Sequence, residues 1–140
     1  MREPDLPALT ILRVIIVDDS EMVGAGLAAL LAEEDGVAVA GRAASDAEAI
    51  MLMENVKPDV AVLNLELPGA RLAALLRRLK AGECPPCLIV LSHYSLQPLE
   101  ALCLQAGADY FLLNTSELGR LPSVFDAIRS SRPPRRLEVE

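Results

Sequence analysis

The chain has 140 residues, of which 52% are apolar and 3% aromatic, and its net charge is −7 at pH 7. This size and apolar content suit one compact domain with a buried core, whereas the negative charge argues against nucleic-acid binding, which needs a basic face. Every apolar run is shorter than the roughly 18 residues that span a bilayer, and the start of the chain lacks the apolar segment of a signal peptide, so we expect a cytoplasmic protein with no membrane contact.

Hydrophobic periodicity divides the chain into five pairs of a strand and a helix. Residues 1–10 are expected to form a flexible arm, residues 11–130 the folded domain, and residues 131–140 a tail or a linker. Because each strand is followed by a helix, the pattern predicts an α/β fold with a doubly wound parallel sheet and helices on both faces. The expected strands are residues 11–17, 37–40, 58–64, 87–92 and 110–113.

The first helix is expected to begin at Asp19 or Ser20, either of which can cap it, and to stop at Gly36. Gly24 and Gly26 each cost about 1 kcal/mol relative to Ala in a helix, which suggests tight packing at both positions. The apolar face of this helix is predicted to contain Val23, Leu27, Leu30 and Leu31.

The later helices carry their own start and stop signals. Ser45 and Glu48 form a capping box that opens the second helix, and Pro58 ends it. A proline near the first turn is typical of a helix start. The other helices are expected at about residues 71–80, at residues 96–106 with Ser95 as cap, and from Pro122 onward.

Polar residues end the first and third predicted strands, at the edge where an open α/β sheet binds ligands. Asp18 and Asp19 follow the first strand, and Asn64 ends the third. Two neighbouring strand ends with three carboxylates would make an oxygen-lined site for a divalent cation. The chain supplies the acidic pair, but an amide stands at the third place.

Short motifs occur in a fixed order along almost the whole of residues 12–130. They are Asp18-Asp19, the Pro-Asp and Leu-x-x-Pro-Gly of residues 58–69, Leu91-Ser92, and the Gly-Ala-Asp-Tyr-Phe-Leu-Leu of residues 107–113. Together they resemble the receiver domain of bacterial two-component response regulators, and residues 23–31 and 39–44 look most like its NarL/FixJ branch. The resemblance implies a flavodoxin-like (βα)5 fold with strand order 2-1-3-4-5.

The resemblance also implies a role for each residue at the predicted sheet edge. In the family an acidic pair, here Asp18 and Asp19, holds Mg²⁺ together with a backbone carbonyl, here that of Glu66. The place of the phospho-accepting aspartate is taken by Asn64. The phosphate-contacting Ser or Thr, the aromatic switch residue and the lysine of the family correspond here to Ser92, Phe111 and Asn114.

Two departures from the family pattern decide the expected function. Phosphotransfer needs an ionised carboxylate as nucleophile, and the amide of Asn64 is neither charged nor basic. With Asn114 in place of the family's lysine, the positive charge that would stabilise the transferred phosphoryl group is missing. A site with one carboxylate fewer is expected to bind Mg²⁺ only weakly, and the domain is expected to require no cofactor. The resemblance therefore implies a pseudo-receiver that is not an enzyme and acts by phosphorylation-independent protein contact.

The family's switching surface is its fourth helix, fifth strand and fifth helix, here roughly Leu96 to Ser130. We expect a protein partner or a second copy to bind there, with a histidine kinase or another regulator as candidate partners and no nucleic acid bound by this chain. The NarL/FixJ branch usually carries a DNA-binding module after the receiver, and residues 130–136 could be a linker to one. For Ser92 two interpretations stay open, which are contact with an anion and satisfaction of a local carbonyl.

Two other function classes stay open. The first is a conventional phospho-accepting receiver whose acceptor residue has been altered to Asn64, against which Asn114 counts. The second is a metal or redox module that uses the three cysteines, with His93 as a fourth ligand. The pattern places two of the cysteines inside a strand and a helix, which does not suit tetrahedral zinc. The three cysteines of the chain are Cys84, Cys87 and Cys103.

Overall fold

The computed structural model describes residues 11–94, 96–114 and 116–131, and within them five strands alternate with five α-helices. The expected arm of residues 1–10, the tail from residue 132 onward and the Ser95 cap lie outside the described residues. The strands are β1 (Leu12–Asp18), β2 (Val37–Ala43), β3 (Val60–Asn64), β4 (Cys87–Ser92) and β5 (Tyr110–Leu113). The helices are α1 (Glu21–Ala32), α2 (Asp46–Val56), α3 (Gly69–Leu79), α4 (Gln97–Ala106) and α5 (Leu121–Ser131), with a short 3-10 helix (Leu118–Arg120) before α5.

The five strands form one parallel sheet in the order β2-β1-β3-β4-β5, which confirms the predicted doubly wound architecture. The strand order reverses between β1 and β3, and in such sheets ligands bind at the carboxyl ends of the strands beside that reversal. Asp18 and Asn64 are paired across these two strands. The topology therefore places the two polar strand ends side by side.

Apolar side chains fill both faces of the sheet because successive strand residues point to opposite sides. One cluster joins strand residues such as Ile15 to α2, α3 and α4, and the other joins residues such as Ile16 to α1 and α5. Leu76 of α3 and Phe125 of α5 are among the largest fully buried side chains. This two-sided core holds the strand ends at a fixed spacing.

Three strand bounds differ from the sequence prediction. β2 continues to Ala43 rather than residue 40, with a register shift opposite Val14 and Ile15 that keeps it paired with β1. β1 includes Asp18, so the first acidic residue belongs to the strand itself. β3 begins at Val60 rather than at Pro58, since proline has no N–H to donate to a ladder.

The apolar face predicted for α1 is only half right. Leu27 and Leu31 are buried against the sheet, but Val23 and Leu30 are about half exposed. The buried residues of this helix are Gly24, Leu27 and Leu31, and at Gly24 the helix backbone lies close to Asp18 at the end of β1. Apolar side chains on the outer side of α1 are therefore exposed to solvent.

The helix starts largely follow the sequence signals. The Ser20 hydroxyl accepts a hydrogen bond from Val23 N (3.2 Å), so Ser20 and not Asp19 caps α1. The Ser45 hydroxyl caps α2 as predicted, while the carboxylate of Glu48 accepts from the N–H of Ala44, one residue earlier than in a standard capping box. The longest of the described helices has 12 residues, and none in this part of the chain is long and apolar enough to cross a membrane.

The remaining helix bounds differ from prediction by a few residues. Helix α1 ends at Ala32, four residues before Gly36, whose φ of +78° serves the turn into β2. Helix α3 starts two residues early, directly after Pro68, and α5 starts one residue before Pro122. Helix α5 continues to Ser131, so the folded part extends one residue into the expected tail.

The two glycines of α1 are expected to respond oppositely to substitution. A Cβ on Gly26 would meet nothing within 4 Å, so Gly26→Ala should raise the free energy of unfolding by up to about 1 kcal/mol through helix propensity alone. A Cβ on Gly24 would lie 3.3 Å from Asp18 Cβ, and Gly24→Ala should lose that gain. Urea unfolding of both variants at low protein concentration measures the difference, and equal stabilisation would contradict this packing.

Candidate functional site

The polar residues singled out from the sequence meet at the carboxyl edge of the sheet. Asp18, Asn64 and Ser92 are buried at the ends of β1, β3 and β4, while Asp19 is exposed just past β1. Asn114 follows β5, and its backbone N–H donates to the carbonyl of Ser92 (2.9 Å). The fold therefore brings together five residues that are as far as 96 positions apart in the sequence.

A chain of side-chain hydrogen bonds connects the strand ends. The amide Nδ2 of Asn64 donates to Asp18 Oδ2 at 2.9 Å, and this bond is buried. Asn114 Nδ2 donates to Asn64 Oδ1 at 3.2 Å. Asn114 Nδ2 also lies 3.3 Å from His93 Nε2. Asp18, Asn64 and Asn114 are thus linked by neutral amide donors.

The orientation of both amides follows from the carboxylate at one end of this chain. An ionised carboxylate only accepts hydrogen bonds, so Asn64 must turn its NH₂ group toward Asp18 and its oxygen toward Asn114. Asn114 must then present its own NH₂ group, and His93 Nε2 must offer a lone pair. Asn114 Oδ1 is left buried with no hydrogen-bond partner in the described part of the chain. Burying an oxygen without a hydrogen-bond partner costs free energy. The hydrogen bonds that Asn114 Nδ2 makes to Asn64 and His93 therefore outweigh this cost and fix the orientation of the Asn114 amide.

The acidic pair is engaged by N–H donors. Asp18 Oδ1 accepts from the backbone N–H of Ser20 (2.9 Å), while its Oδ2 accepts from Asn64 (2.9 Å). Asp19 Oδ2 accepts from the backbone N–H of Glu66 (3.1 Å), which places the β3–α3 loop beside the pair as the predicted cation site requires. Mg²⁺ needs anionic oxygens with free lone pairs, and an amide NH₂ group points at the position where a third carboxylate would stand. The donor set therefore fits Mg²⁺ poorly.

Ser92 ends β4 and Phe111 lies in β5, and the hydroxyl of Ser92 is hydrogen-bonded to backbone groups of Tyr94 rather than to the side chains of Asn64 and Asn114. The Ser92 hydroxyl donates to the carbonyl of Tyr94 (3.1 Å) and accepts from the N–H of Tyr94 (3.0 Å), so it closes the turn after β4. This geometry favours the interpretation that Ser92 satisfies local backbone groups. Phe111 is half-buried and packs against the core cluster on the α3–α4 side.

The contact of His93 with Asn114, at the end of the chain of side-chain hydrogen bonds, was not anticipated from the sequence. A single histidine after a strand gives no sign of its partner, because the contact depends on how β4 and β5 pair. His93 and both amides also line an otherwise apolar groove of about 370 Å³ between α1 and the loop after β5. Its apolar wall consists of Val23, Gly26, Leu27, Leu30, Leu91 and Leu118.

The three cysteines are not grouped as metal ligands in the described part of the chain. Cys84 is exposed, Cys87 half-buried and Cys103 buried. Across residues 11–94, 96–114 and 116–131, no three His, Cys, Asp or Glu side chains are grouped so that they could hold a metal ion. The candidate zinc set with His93 is therefore not supported by the geometry.

Thiol titration of the native chain should separate these cysteines. Burial raises the pKa of the Cys103 thiol and shields it, so a thiol-reactive disulfide reagent should modify Cys84 first and Cys103 at least about 100-fold more slowly. Mass spectrometry of digested samples taken over time measures the order. Fast reaction at Cys103, or protection of Cys84 by bound zinc, would support the metal or redox class instead.

Comparison with known families gives one match that covers most of the chain. Residues 14–126 match the family model of the response regulator receiver domain. Among curated proteins, the transcriptional regulatory protein LiaR of Bacillus subtilis is 31% identical over 120 residues, which are 86% of this chain and 56% of that protein. The positive alginate biosynthesis regulatory protein of Pseudomonas aeruginosa is 30% identical over 129 residues, 91% of this chain and 50% of that protein. The chain thus spans about half the length of these relatives.

Solved structures share the same architecture. The receiver domain of the regulator NarL from Mycobacterium tuberculosis is 28% identical, with a TM-score of 0.76 over 88% of this chain and 99% of that one. A two-component response regulator of the LuxR family from Aurantimonas is 25% identical, with a TM-score of 0.79 over 88% of each chain. These likenesses agree with the five-stranded parallel sheet described above.

Proposed function

We propose, from the premise that this chain belongs to the response regulator receiver domain family, that it is an atypical receiver which signals by protein contact without being phosphorylated. The family places it in two-component signal transduction. A regulatory binding module of this kind, with no enzymatic activity of its own, suits a cytoplasmic location. Any DNA-binding function of the longer relatives would require a further module and is not assigned to this chain.

The observation that carries the proposal is the buried hydrogen bond from Asn64 Nδ2 to Asp18 Oδ2 at 2.9 Å. A phosphoryl acceptor has to present a lone pair on an anionic oxygen to the incoming phosphorus. At this position the chain presents an N–H donor that is already engaged, and its oxygen is engaged by Asn114. Neither atom of the amide can act as the nucleophile.

Asn114 supports the same conclusion from the other side of the site. A lysine there would bring a positive charge to the phosphoryl oxygens during transfer. The amide of Asn114 instead bridges Asn64 and His93 with neutral hydrogen bonds. We therefore expect these hydrogen bonds to keep the site in one arrangement without phosphate or a bound cation. The acidic pair and the Glu66 carbonyl are expected to bind Mg²⁺ only weakly.

The partner is proposed to bind the surface formed by α4, β5 and α5, within Leu96 to Ser130. Leu96 and Leu104 are 54% and 44% exposed there, and Tyr94, just before this range in the sequence, is 57% exposed. Exposed apolar side chains rimmed by polar residues are typical of protein interaction sites. A histidine kinase or another regulator would be a suitable partner class.

A conventional receiver with an altered acceptor is the second candidate, and one experiment separates the two. Backbone amide NMR spectra are recorded with and without Mg²⁺ and beryllofluoride, a phosphoryl analogue that binds aspartate. The native chain should show no shifts between Leu96 and Ser130, while the variant Asn64→Asp with Asn114→Lys should show them throughout that surface. Shifts of the native chain at this surface would overturn the proposal.

A further inference from the structure

The groove between α1 and the loop after β5 has the features of a small-molecule site. Its volume of about 370 Å³ lies toward the lower end of the range of ligand pockets, which is about 300–1,000 Å³. Its wall is apolar, apart from the three polar residues Asn64, His93 and Asn114. Apolar walls with a few polar groups gathered in one place are typical of sites that bind small molecules.

The shape of the groove follows from the residues that α1 presents to it. Val23, Gly26, Leu27 and Leu30 lie on one face of the helix at helical spacing. A Cβ added to Gly26 would meet no atom within 4 Å, so there is open space over the helix backbone at this position. Val23 and Leu30 stand on either side of that space and are about half exposed. A molecule seated over Gly26 would cover both side chains and remove apolar surface from water, which is favourable.

One buried atom among the three polar residues of the groove lacks a hydrogen bond. Asn64 donates to Asp18 and accepts from Asn114, and Asn114 Nδ2 contacts both Asn64 and His93. Asn114 Oδ1 is buried with no partner among the residues that the structure describes. An amide oxygen can only accept a hydrogen bond. The groove therefore has an acceptor that an N–H or O–H group of a bound molecule would satisfy.

The lining of the groove also defines the charge of a suitable ligand. None of the described residues that line it is an aspartate, glutamate, lysine or arginine. Moving a charged group out of water without an opposite charge to pair with it costs much free energy. A neutral molecule is therefore the ligand that fits this groove.

We propose that this groove binds a neutral small molecule, which has a compact apolar body of one or two rings and an N–H or O–H group that donates to Asn114 Oδ1. The apolar body lies over Gly26 and against Val23, Leu30 and Leu118. Because Asn114 Oδ1 is fully buried, binding requires side chains around it to shift, and exposed side chains such as Val23 and Leu30 change rotamer rapidly. Binding of this kind does not depend on whether the chain accepts phosphate.

Indole and 1-methylindole form a matched pair of probes for this site. Indole is neutral and mostly apolar, and it has one N–H donor. In 1-methylindole a methyl group replaces the hydrogen of that donor, so the molecule is more apolar but cannot donate. Hydrophobic contact alone would therefore favour 1-methylindole, whereas a hydrogen bond to Asn114 Oδ1 favours indole. NMR spectra of the backbone and asparagine side-chain amides, recorded during titration of the native chain with each probe, measure both affinities and locate the site.

Two neighbouring positions of α1 provide matched variants. Gly26→Leu puts a side chain into the groove, and Ala25→Leu puts the same side chain at an exposed position of α1 that does not line it. Leucine has a higher helix propensity than glycine and nearly that of alanine, so both variants should keep the fold. Circular dichroism and thermal unfolding verify this.

Indole is expected to bind the native chain and Ala25→Leu with a dissociation constant of about 0.1–1 mM. It should shift the signals of the groove residues and of the Asn114 side-chain amide. We expect 1-methylindole to bind the native chain about fivefold more weakly or worse, and Gly26→Leu to bind indole at least about tenfold more weakly.

Three results would overturn the proposal. The first is a native chain that binds neither probe at the groove, or binds 1-methylindole as tightly as indole. The second is binding of indole that Gly26→Leu leaves unchanged or that Ala25→Leu weakens to the same extent. The third is a shift of the same signals when the concentration of the native chain is raised without a probe, since that result would assign the groove to a second copy.

Discussion

Incubation with acetyl phosphate and Mg²⁺ is expected to leave the intact mass of the native chain unchanged, whereas the variant carrying both Asn64→Asp and Asn114→Lys should gain one phosphoryl group. This expectation follows from the proposed function, because the acceptor position holds the uncharged amide of Asn64 and both of its polar atoms are engaged in hydrogen bonds. Asp18 and Asp19 in the variant would regain a third carboxylate for the cation, and the lysine would stabilise the transferred charge.

The two single variants separate the contributions of the two positions. Asn64→Asp alone restores the nucleophile and should be phosphorylated, but roughly 100-fold more slowly than the double variant because the stabilising cation is missing. Asn114→Lys alone restores the cation without a nucleophile and should gain nothing. A phosphate adduct on the native chain would contradict the proposed function and would direct the search for an acceptor to Asp18, Asp19 or Ser92.

The sheet and its polar edge were predictable because the strand and helix signals are local and because the resemblance to the receiver family implied the order of the strands. Apolar runs such as residues 87–92 are bounded by proline, glycine or polar residues, and their alternation with helical segments calls for parallel strands. Once the strands are parallel, their carboxyl ends share an edge. The strand order implied by the resemblance then places Asp18 beside Asn64, and the pairing of β1 with β3 confirms that placement.

The hydrogen bonds within the site could not be predicted, because they depend on distances of a few tenths of an ångström between strands that are remote in sequence. Nothing in the sequence indicates that Asn64 would donate to Asp18 while Asn114 donates to Asn64. The exposed side of α1 was missed for a different reason. Helical periodicity cannot distinguish a side chain that faces the core from one that faces solvent when the whole helix is apolar, and Val23 and Leu30 were misplaced on that account.

Asp18 and Asp19 already accept hydrogen bonds within the protein, so we expect the site to respond to Mg²⁺ only after the Asn64 amide is replaced. In Asn64→Asp a carboxylate replaces the NH₂ group that lies 2.9 Å from Asp18 Oδ2. The variant loses a buried hydrogen bond and gains like-charge repulsion, which should lower the free energy of unfolding without Mg²⁺ by about 3 kcal/mol. For a domain of this size that corresponds to a drop in Tm of roughly 10 °C.

Mg²⁺ should restore most of this loss, since a cation held by three carboxylates binds only the folded state. At a concentration 100 times the dissociation constant it would contribute about 2.7 kcal/mol, while the Tm of the native chain should hardly move. Asn64→Ala is the matched control, because it removes the same hydrogen bond without adding a charge and should stay destabilised with or without Mg²⁺. A native chain stabilised by Mg²⁺ as strongly as Asn64→Asp would show that Asp18 and Asp19 already hold the cation well, and that the hydrogen bond from Asn64 does not replace it.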